Sequence, residues 1–229
     1  MSNQVVLITG ANGGLGTFVT AAFLEAGAKV VGTSRQIDGK AFTHPNFEAS
    51  PADLSRPYSA MHLVADTLDK FGRLDAVVHT TGGFAGGAPI HETDEATWDS
   101  MLNLNLRTAV NLLHAVIPAM RKQEHGRIVA IGSRAGVEPS ANIAAYSASK
   151  AALVSLMQTA ALENRKLGIT ANVILPGTID TDANRRADPK ADRSKWVSPQ
   201  KLAALALFLA SDEAAEITGA AIPVYGAGL

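Results

Sequence analysis

Tyr146 and Lys150 stand four residues apart near the start of a helical pattern, so their side chains share one face. A phenol titrating near ~10 is a poor proton-transfer group at neutral pH, but an adjacent ammonium favours the phenolate and lowers that pKa. The pair is therefore a candidate acid–base unit. Earlier in the chain, Ser133 follows Ile131-Gly132 at the end of a strand-like run, where its hydroxyl can hold a substrate oxygen beside the phenol. Taken singly, a tyrosine and a lysine at this spacing are mostly surface coincidence. A serine at a strand end is mostly a cap or turn residue.

A second cluster has different chemistry. The apolar run Val5 to Ile8 leads into Thr9-Gly10-Ala11-Asn12-Gly13-Gly14-Leu15-Gly16, and a helical pattern follows. Glycines there permit a tight turn and let backbone approach a pyrophosphate. The helix start adds unpaired N–H groups and the positive end of its dipole. A glycine-rich turn alone is weak evidence; the strand–loop–helix context makes Gly10, Asn12, Gly13, Gly14, Leu15 and Gly16 candidate dinucleotide contacts. The next strand-like run ends in Thr33-Ser34-Arg35. NAD sites usually carry a carboxylate here, whereas Ser34 and Arg35 offer a hydroxyl and a guanidinium suited to a 2′-phosphate. Asp38 comes several residues too late. The residues favour NADP(H) over NAD(H), with a plain surface arginine as the other account of Arg35.

These groups need a scaffold that brings them to one edge. Val5–Thr9, Lys29–Thr33, Leu74–His79, Arg127–Gly132, Thr170–Leu175 and Ala221–Val224 read as strands, with Phe47–Ala49 a short addition. They are apolar on both sides, as expected for strands of a parallel sheet covered on both faces. Helical patterns fall at about 13–26, 56–71, 95–122, 143–167 and 199–210, the fourth stopped by Gly168. The alternation predicts a doubly wound, Rossmann-type α/β sheet of about seven strands, spanning 1–229 as one domain. Ligands of such sheets bind at the carboxyl ends of the strands. The polar stretch 180–198 follows one of those ends and reads as a solvated loop or a short substrate lid.

Bulk properties exclude several classes. The chain has 229 residues, 47% of them hydrophobic, which is enough for a continuous core. A net charge of -1 gives no electrostatic reason to expect nucleic acid or an anionic membrane as partner. Absence of cysteine excludes disulfides, thiolate metal sites and cysteine nucleophiles. The six histidines lack metal-ligand spacing. With no signal-like start and no run of roughly 18 apolar residues, the expectation is a cytoplasmic protein. Apolar surface around 102–117 and 151–162 exceeds what one sheet face needs, and predicts a homo-oligomer, dimer or tetramer.

Together, the glycine loop, Ser133, Tyr146-Ser147-Ala148-Ser149-Lys150 and Pro176-Gly177 after a strand resemble the classical short-chain dehydrogenase/reductase family over essentially the whole chain. Asn105, in Asn103-Leu104-Asn105-Leu106, matches that family's catalytic asparagine. The resemblance implies hydride transfer between a nicotinamide dinucleotide and a small carbonyl or alcohol. Tyr146 would be the acid–base, Ser133 the orienting hydroxyl, Lys150 the ribose contact that tunes Tyr146, and Asn105 the anchor of a relay water. It further implies cofactor contacts at Asp53 and Leu54, at Thr81 and Gly82, at Pro176 and Gly177, and at Ile179 and Thr181.

Three positions depart from the family pattern. His79-Thr80-Thr81-Gly82 stands where Asn-Asn-Ala-Gly is usual. Gly13 lacks the basic residue of many NADP-preferring members. The C-terminal Val224-Tyr225-Gly226-Ala227-Gly228 lacks the common acidic residue. The Gly82–Gly87 loop and the 180–198 lid are also similar to those of dihydropteridine reductase. Two other functions therefore stay open: a dihydropteridine-reductase-like activity, and a non-catalytic protein that senses NADP(H).

Overall fold

A computed structural model of the protein describes residues 1–227, so Gly228 of the C-terminal motif lies outside the described residues. Seven strands form one parallel sheet. They are β1 (Val5–Thr9), β2 (Lys29–Thr33), β3 (Phe47–Ala49), β4 (Ala76–His79), β5 (Gly126–Ile131), β6 (Ile169–Pro176) and β7 (Ala221–Val224). Their spatial order is β3-β2-β1-β4-β5-β6-β7.

Alternation along each strand feeds two cores. Leu7, Val31, Val77, Ile128 and Val173 point to one face, where α2 (Pro57–Phe71), α4 (Thr108–Gln123) and α5 (Ala144–Asn164) pack. Val6, Ile8, Val30, Val78 and Val129 point to the other, covered by α1 (Gly16–Glu25) and α7 (Pro199–Leu209). Burial on both faces is why the strands read as unbroken apolar runs. Strand order reverses between β1 and β4, which opens a crevice at the carboxyl ends of those two strands.

Two helical regions differ from the sequence expectation. The pattern at 95–122 is not one helix: α3 (Glu95–Leu102) and α4 are separated by a π-helical turn, Asn103–Arg107. That wider turn carries Asn105, whose side chain is drawn fully inside by polar partners. The stretch 180–198 contains a short helix, α6 (Asp182–Ala187), capped by the Thr181 hydroxyl, and a 3-10 turn at Arg193–Lys195. A bridge between Ile179 and Val197 closes its base. The first helix begins at Gly16, so residues 13–15 belong to the glycine loop. No helix among the described residues is long and apolar enough to cross a membrane.

Candidate active site

The crevice gathers side chains from four segments. Ser133 leaves the end of β5 in extended conformation, and its Oγ accepts the Ala135 N–H at 3.2 Å. One turn into α5, the Tyr146 hydroxyl lies beside the Ser133 side chain, close enough for it to favour the phenolate. Lys150 lies a further turn along the same face, buried, with Nζ donating to the Ile131 carbonyl at 3.0 Å. Asn105 approaches from the π turn: its Nδ2 donates to Ser149 Oγ at 3.0 Å, and Ser149 Oγ donates to the Tyr146 carbonyl at 2.7 Å. Ser149 was not singled out from the sequence. Only its place one residue before Lys150, in the Tyr-x-x-Ser-Lys run, could have marked it.

The loop after β4 closes over this group. Asn105 Oδ1 accepts the Gly83 N–H at 2.9 Å, and Nδ2 also reaches the Gly83 carbonyl at 3.1 Å. A Cβ at Gly82 would come within 2.9 Å of Asn105 Oδ1 and 3.2 Å of Lys150 Nζ. A side chain at this position would have to push both polar heads aside. Phe84, farther along the loop, sets its ring edge-on to Tyr146 with centroids 5.0 Å apart, while most of its surface stays exposed.

Burial governs the electrostatics. Desolvation lowers the Lys150 pKa to about 8. The Tyr146 phenol is raised from its ordinary value, chiefly by burial, while the Ser133 hydrogen bond acts in the lowering direction. This corrects the expectation that the Lys150 ammonium lowers the phenol. In the protein alone the ammonium is committed to a carbonyl, and the loss of water around the ring outweighs it.

The glycine loop forms a cradle at the start of α1. Gly10 adopts φ +63°, and a Cβ at Gly16 would overlap the Gly10 carbonyl oxygen. The Gly13 N–H is taken by the Gly10 carbonyl, but those of Gly14, Leu15 and Gly16 have no acceptor among the described residues. Leu15, the N-cap, provides no side-chain acceptor. Free N–H groups at a helix start that glycine leaves approachable fit the phosphates of a dinucleotide. Thr181 packs against Gly14, so the lid begins on the cradle itself.

The other candidates lie around the same edge. Asn12 donates to the Gln36 carbonyl at 3.2 Å, tying the cradle to the β2 loop. There the Ser34 hydroxyl accepts the Gln36 N–H at 3.3 Å and Arg35 is exposed. Asp53 is engaged locally: its carboxylate accepts from the Ser55 hydroxyl at 2.7 Å, which holds its pKa below the ordinary value, and pairs with Arg56. Leu54 is buried, its carbonyl held by Asn111 at 2.8 Å. The Gly177 N–H, just past Pro176, donates to the Val224 carbonyl. The Ile179 carbonyl accepts from Asn184 at 2.8 Å. In the lid, Arg185 forms a paired contact with Asp180 at 2.7 and 2.9 Å.

Known proteins resemble this chain in sequence and fold. The family profile described as short chain dehydrogenase matches residues 4–192. The 3-oxoacyl-[acyl-carrier-protein] reductase FabG of Escherichia coli (strain K12) is 33% identical, over 97% of this chain and 96% of that protein. The short-chain dehydrogenase/reductase olcF of Penicillium canescens is 30% identical, over 98% and 96%. A solved structure of ElxO with NADP bound superimposes with a TM-score of 0.93 at 25% identity, covering 99% of this chain and 98% of that one. A seven-stranded doubly wound sheet and a match over most of the chain place this protein in the classical short-chain dehydrogenase/reductase family of oxidoreductases.

Proposed function

We propose that the protein reduces a small carbonyl compound, or oxidises the matching alcohol, with NADP(H), using Tyr146 as the acid–base. The observation that carries this reading is the Tyr146 phenol beside Ser133, with the buried Lys150 ammonium and the glycine cradle on the same crevice. When bound, the dinucleotide would supply the hydride that the substrate carbon accepts. Ser133 would hold the carbonyl oxygen, and Tyr146 would deliver a proton to that oxygen. Lys150 places a positive charge behind the site and keeps a proton supply close to it. Asn105 and Ser149 fix the backbone of Tyr146 and the loop at Gly83, so the phenol meets substrate in one orientation.

The N–H groups of Gly14, Leu15 and Gly16 would hold the pyrophosphate, within a loop shaped by Gly10, Asn12 and Gly13. Ser34 and Arg35 would hold a 2′-phosphate, while Asp53 and Leu54 flank the adenine. Thr81, Gly82, Pro176, Gly177, Ile179 and Thr181 would line the nicotinamide end, with Tyr146 and Lys150 at the ribose. A relative named for reducing 3-oxoacyl groups and a neighbour holding NADP support both the direction and the cofactor. The reading includes a homo-oligomer, supported by Leu162, 67% exposed on the outer part of α5.

The deciding experiment follows NADPH and NADH oxidation against aldehydes, ketones, diketones, quinones, 3-oxoacyl thioesters and quinonoid dihydropterin. Turnover with NADPH is expected, and Tyr146→Phe should bind NADPH normally yet lose turnover by at least about a hundredfold. Binding without oxidation of any substrate would favour a sensor. Substantial turnover by Tyr146→Phe would remove that residue from the chemistry.

A further inference from the structure

His79 ends β4 directly opposite Thr9 in the β1–β4 register, and its ring is almost wholly buried. An apolar side chain would satisfy that position on packing grounds alone. Instead, each ring nitrogen meets a hydroxyl: Nδ1 lies 2.9 Å from Thr9 Oγ1, and Nε2 lies 3.4 Å from Thr108 Oγ1. Both hydroxyls have further partners. Thr108 donates its proton to the Leu104 carbonyl at 2.8 Å, within the π turn that carries Asn105. Thr9 Oγ1 accepts the Thr81 N–H at 3.3 Å, while its backbone carbonyl accepts the Thr80 hydroxyl at 2.6 Å.

These bonds fix the direction of every proton. A neutral imidazole has one N–H and one bare nitrogen, and the partner of each decides which is which. The Thr108 proton is spent on Leu104, so Thr108 can only accept from the ring. Thr9 already accepts from Thr81, and Nδ1 is the acceptor its own proton reaches. With the proton on Nε2, every group in the chain is satisfied. With it on Nδ1, a bare Nε2 would face an oxygen with no proton to give, and the Thr9 proton would be stranded in a buried site. Stranding a buried donor costs more than the bond itself is worth. Burial and the nearby Lys150 charge also keep the ring neutral.

We infer that His79 is a positioning residue, an imidazole held in its Nε2–H form that ties the end of β1 and the Thr81 loop to the π-helical turn carrying Asn105. The bonded path runs from the Thr81 N–H through Thr9, His79 and Thr108 to the Leu104 carbonyl. It links the rim of the glycine cradle to the turn behind Tyr146 through one side chain. The part of this inference that concerns cofactor binding rests on the function proposed above; the tautomer does not.

The test has two arms. In the first, the protein labelled with nitrogen-15 in histidine is read by a two-bond proton–nitrogen correlation spectrum, with the His79 signals assigned by their loss in His79→Asn. A pyridine-like Nδ1 and a pyrrole-like Nε2, unchanged across the neutral range, are expected. An Nδ1–H ring, or a ring that titrates there, overturns the inference. In the second, NADPH affinity is titrated by fluorescence. Asparagine can place an acceptor where Nδ1 stood, so His79→Asn should bind within about twofold of the natural protein, whereas His79→Leu strands the Thr9 proton and should bind about tenfold more weakly. Equal binding by the two variants overturns the inference. If His79→Leu does not fold, the spectrum of the natural protein still decides. Failure of the natural protein to bind NADPH would overturn the proposed function, and the ring-nitrogen signals would judge His79 separately.

Discussion

Burial holds the Tyr146 phenol above its ordinary pKa, and only the Ser133 hydrogen bond pulls it down. In the proposed mechanism, carbonyl reduction would consume the protonated phenol, the form that burial keeps across the neutral range, and alcohol oxidation would need the phenolate. The two directions must then diverge with pH: oxidation should climb steadily on the alkaline side while reduction stays level and then declines. Initial rates in both directions over that range check this, and an oxidation rate that is flat with pH would exclude Tyr146 as its base. Ser133→Ala removes the one group that lowers the phenol, so it should move the alkaline limb of oxidation further up while lowering turnover. Arg35 is tested separately. It is exposed, and its proposed work is confined to a 2′-phosphate, so Arg35→Ala should raise the KM for NADPH about tenfold and leave that for NADH within about twofold. An equal effect on both cofactors would return Arg35 to the ordinary surface.

At the scale of elements, the glycine cradle depends on one close approach. A Cβ at Gly16 has nowhere to go except into the Gly10 carbonyl, which is backbone and cannot swing aside. Gly16→Ala should therefore shift the start of α1, cost on the order of 1–3 kcal/mol in stability, and weaken NADPH binding at least about tenfold. Thermal melting and the same fluorescence titration measure both effects, and natural affinity in this variant would mean that the cradle is not where phosphate sits. This loop was legible because its glycines stand between an apolar strand run and a helical pattern. The strands were legible because sheets covered on both faces demand unbroken apolar runs. The π turn was not, since one extra residue in a turn barely disturbs a helical periodicity that continues on either side. Helix α6 was hidden because it is short and polar, and its cap, Thr181, reads equally well as loop. Spacing put Tyr146 and Lys150 on one face but carries no information on solvent, so it missed that burial, and not the ammonium, sets the phenol. His79 was visible as a departure from a motif, yet its partners, Thr9 and Thr108, are distant in sequence and meet it only through the sheet register and the π turn.

For the whole molecule, the buried titratable groups of the crevice make stability depend on pH in a definite direction. His79 falls from 6.5 to about 3 on folding, so unfolding takes up a proton between those values, and stability complete above 6.5 is lost as pH falls toward 3. Lys150 falls from 10.5 to about 8, so the unfolded chain again binds the extra proton, and stability rises as pH climbs from 8 toward 10.5. Tyr146, raised above its ordinary 10.0, opposes this beyond pH 10, where the unfolded phenol ionises first. Taken together, these three groups favour the cofactor-free fold on the alkaline side, above the range in which the protein would work. Below pH 8 the Lys150 ammonium is a buried charge whose only hydrogen bond among the described residues is to one carbonyl, and it costs on the order of 3 kcal/mol. Lys150→Met removes that charge while keeping most of the side-chain volume, so it should raise the melting temperature by several degrees at pH 7 while abolishing turnover. The difference from the natural protein should shrink as pH rises from 8 toward 10. Calorimetric melts of both proteins across that range measure it. A variant less stable than the natural protein at pH 7, or a gap independent of pH, would mean that the ammonium is held by more than the Ile131 carbonyl, and that the charge stabilises the fold.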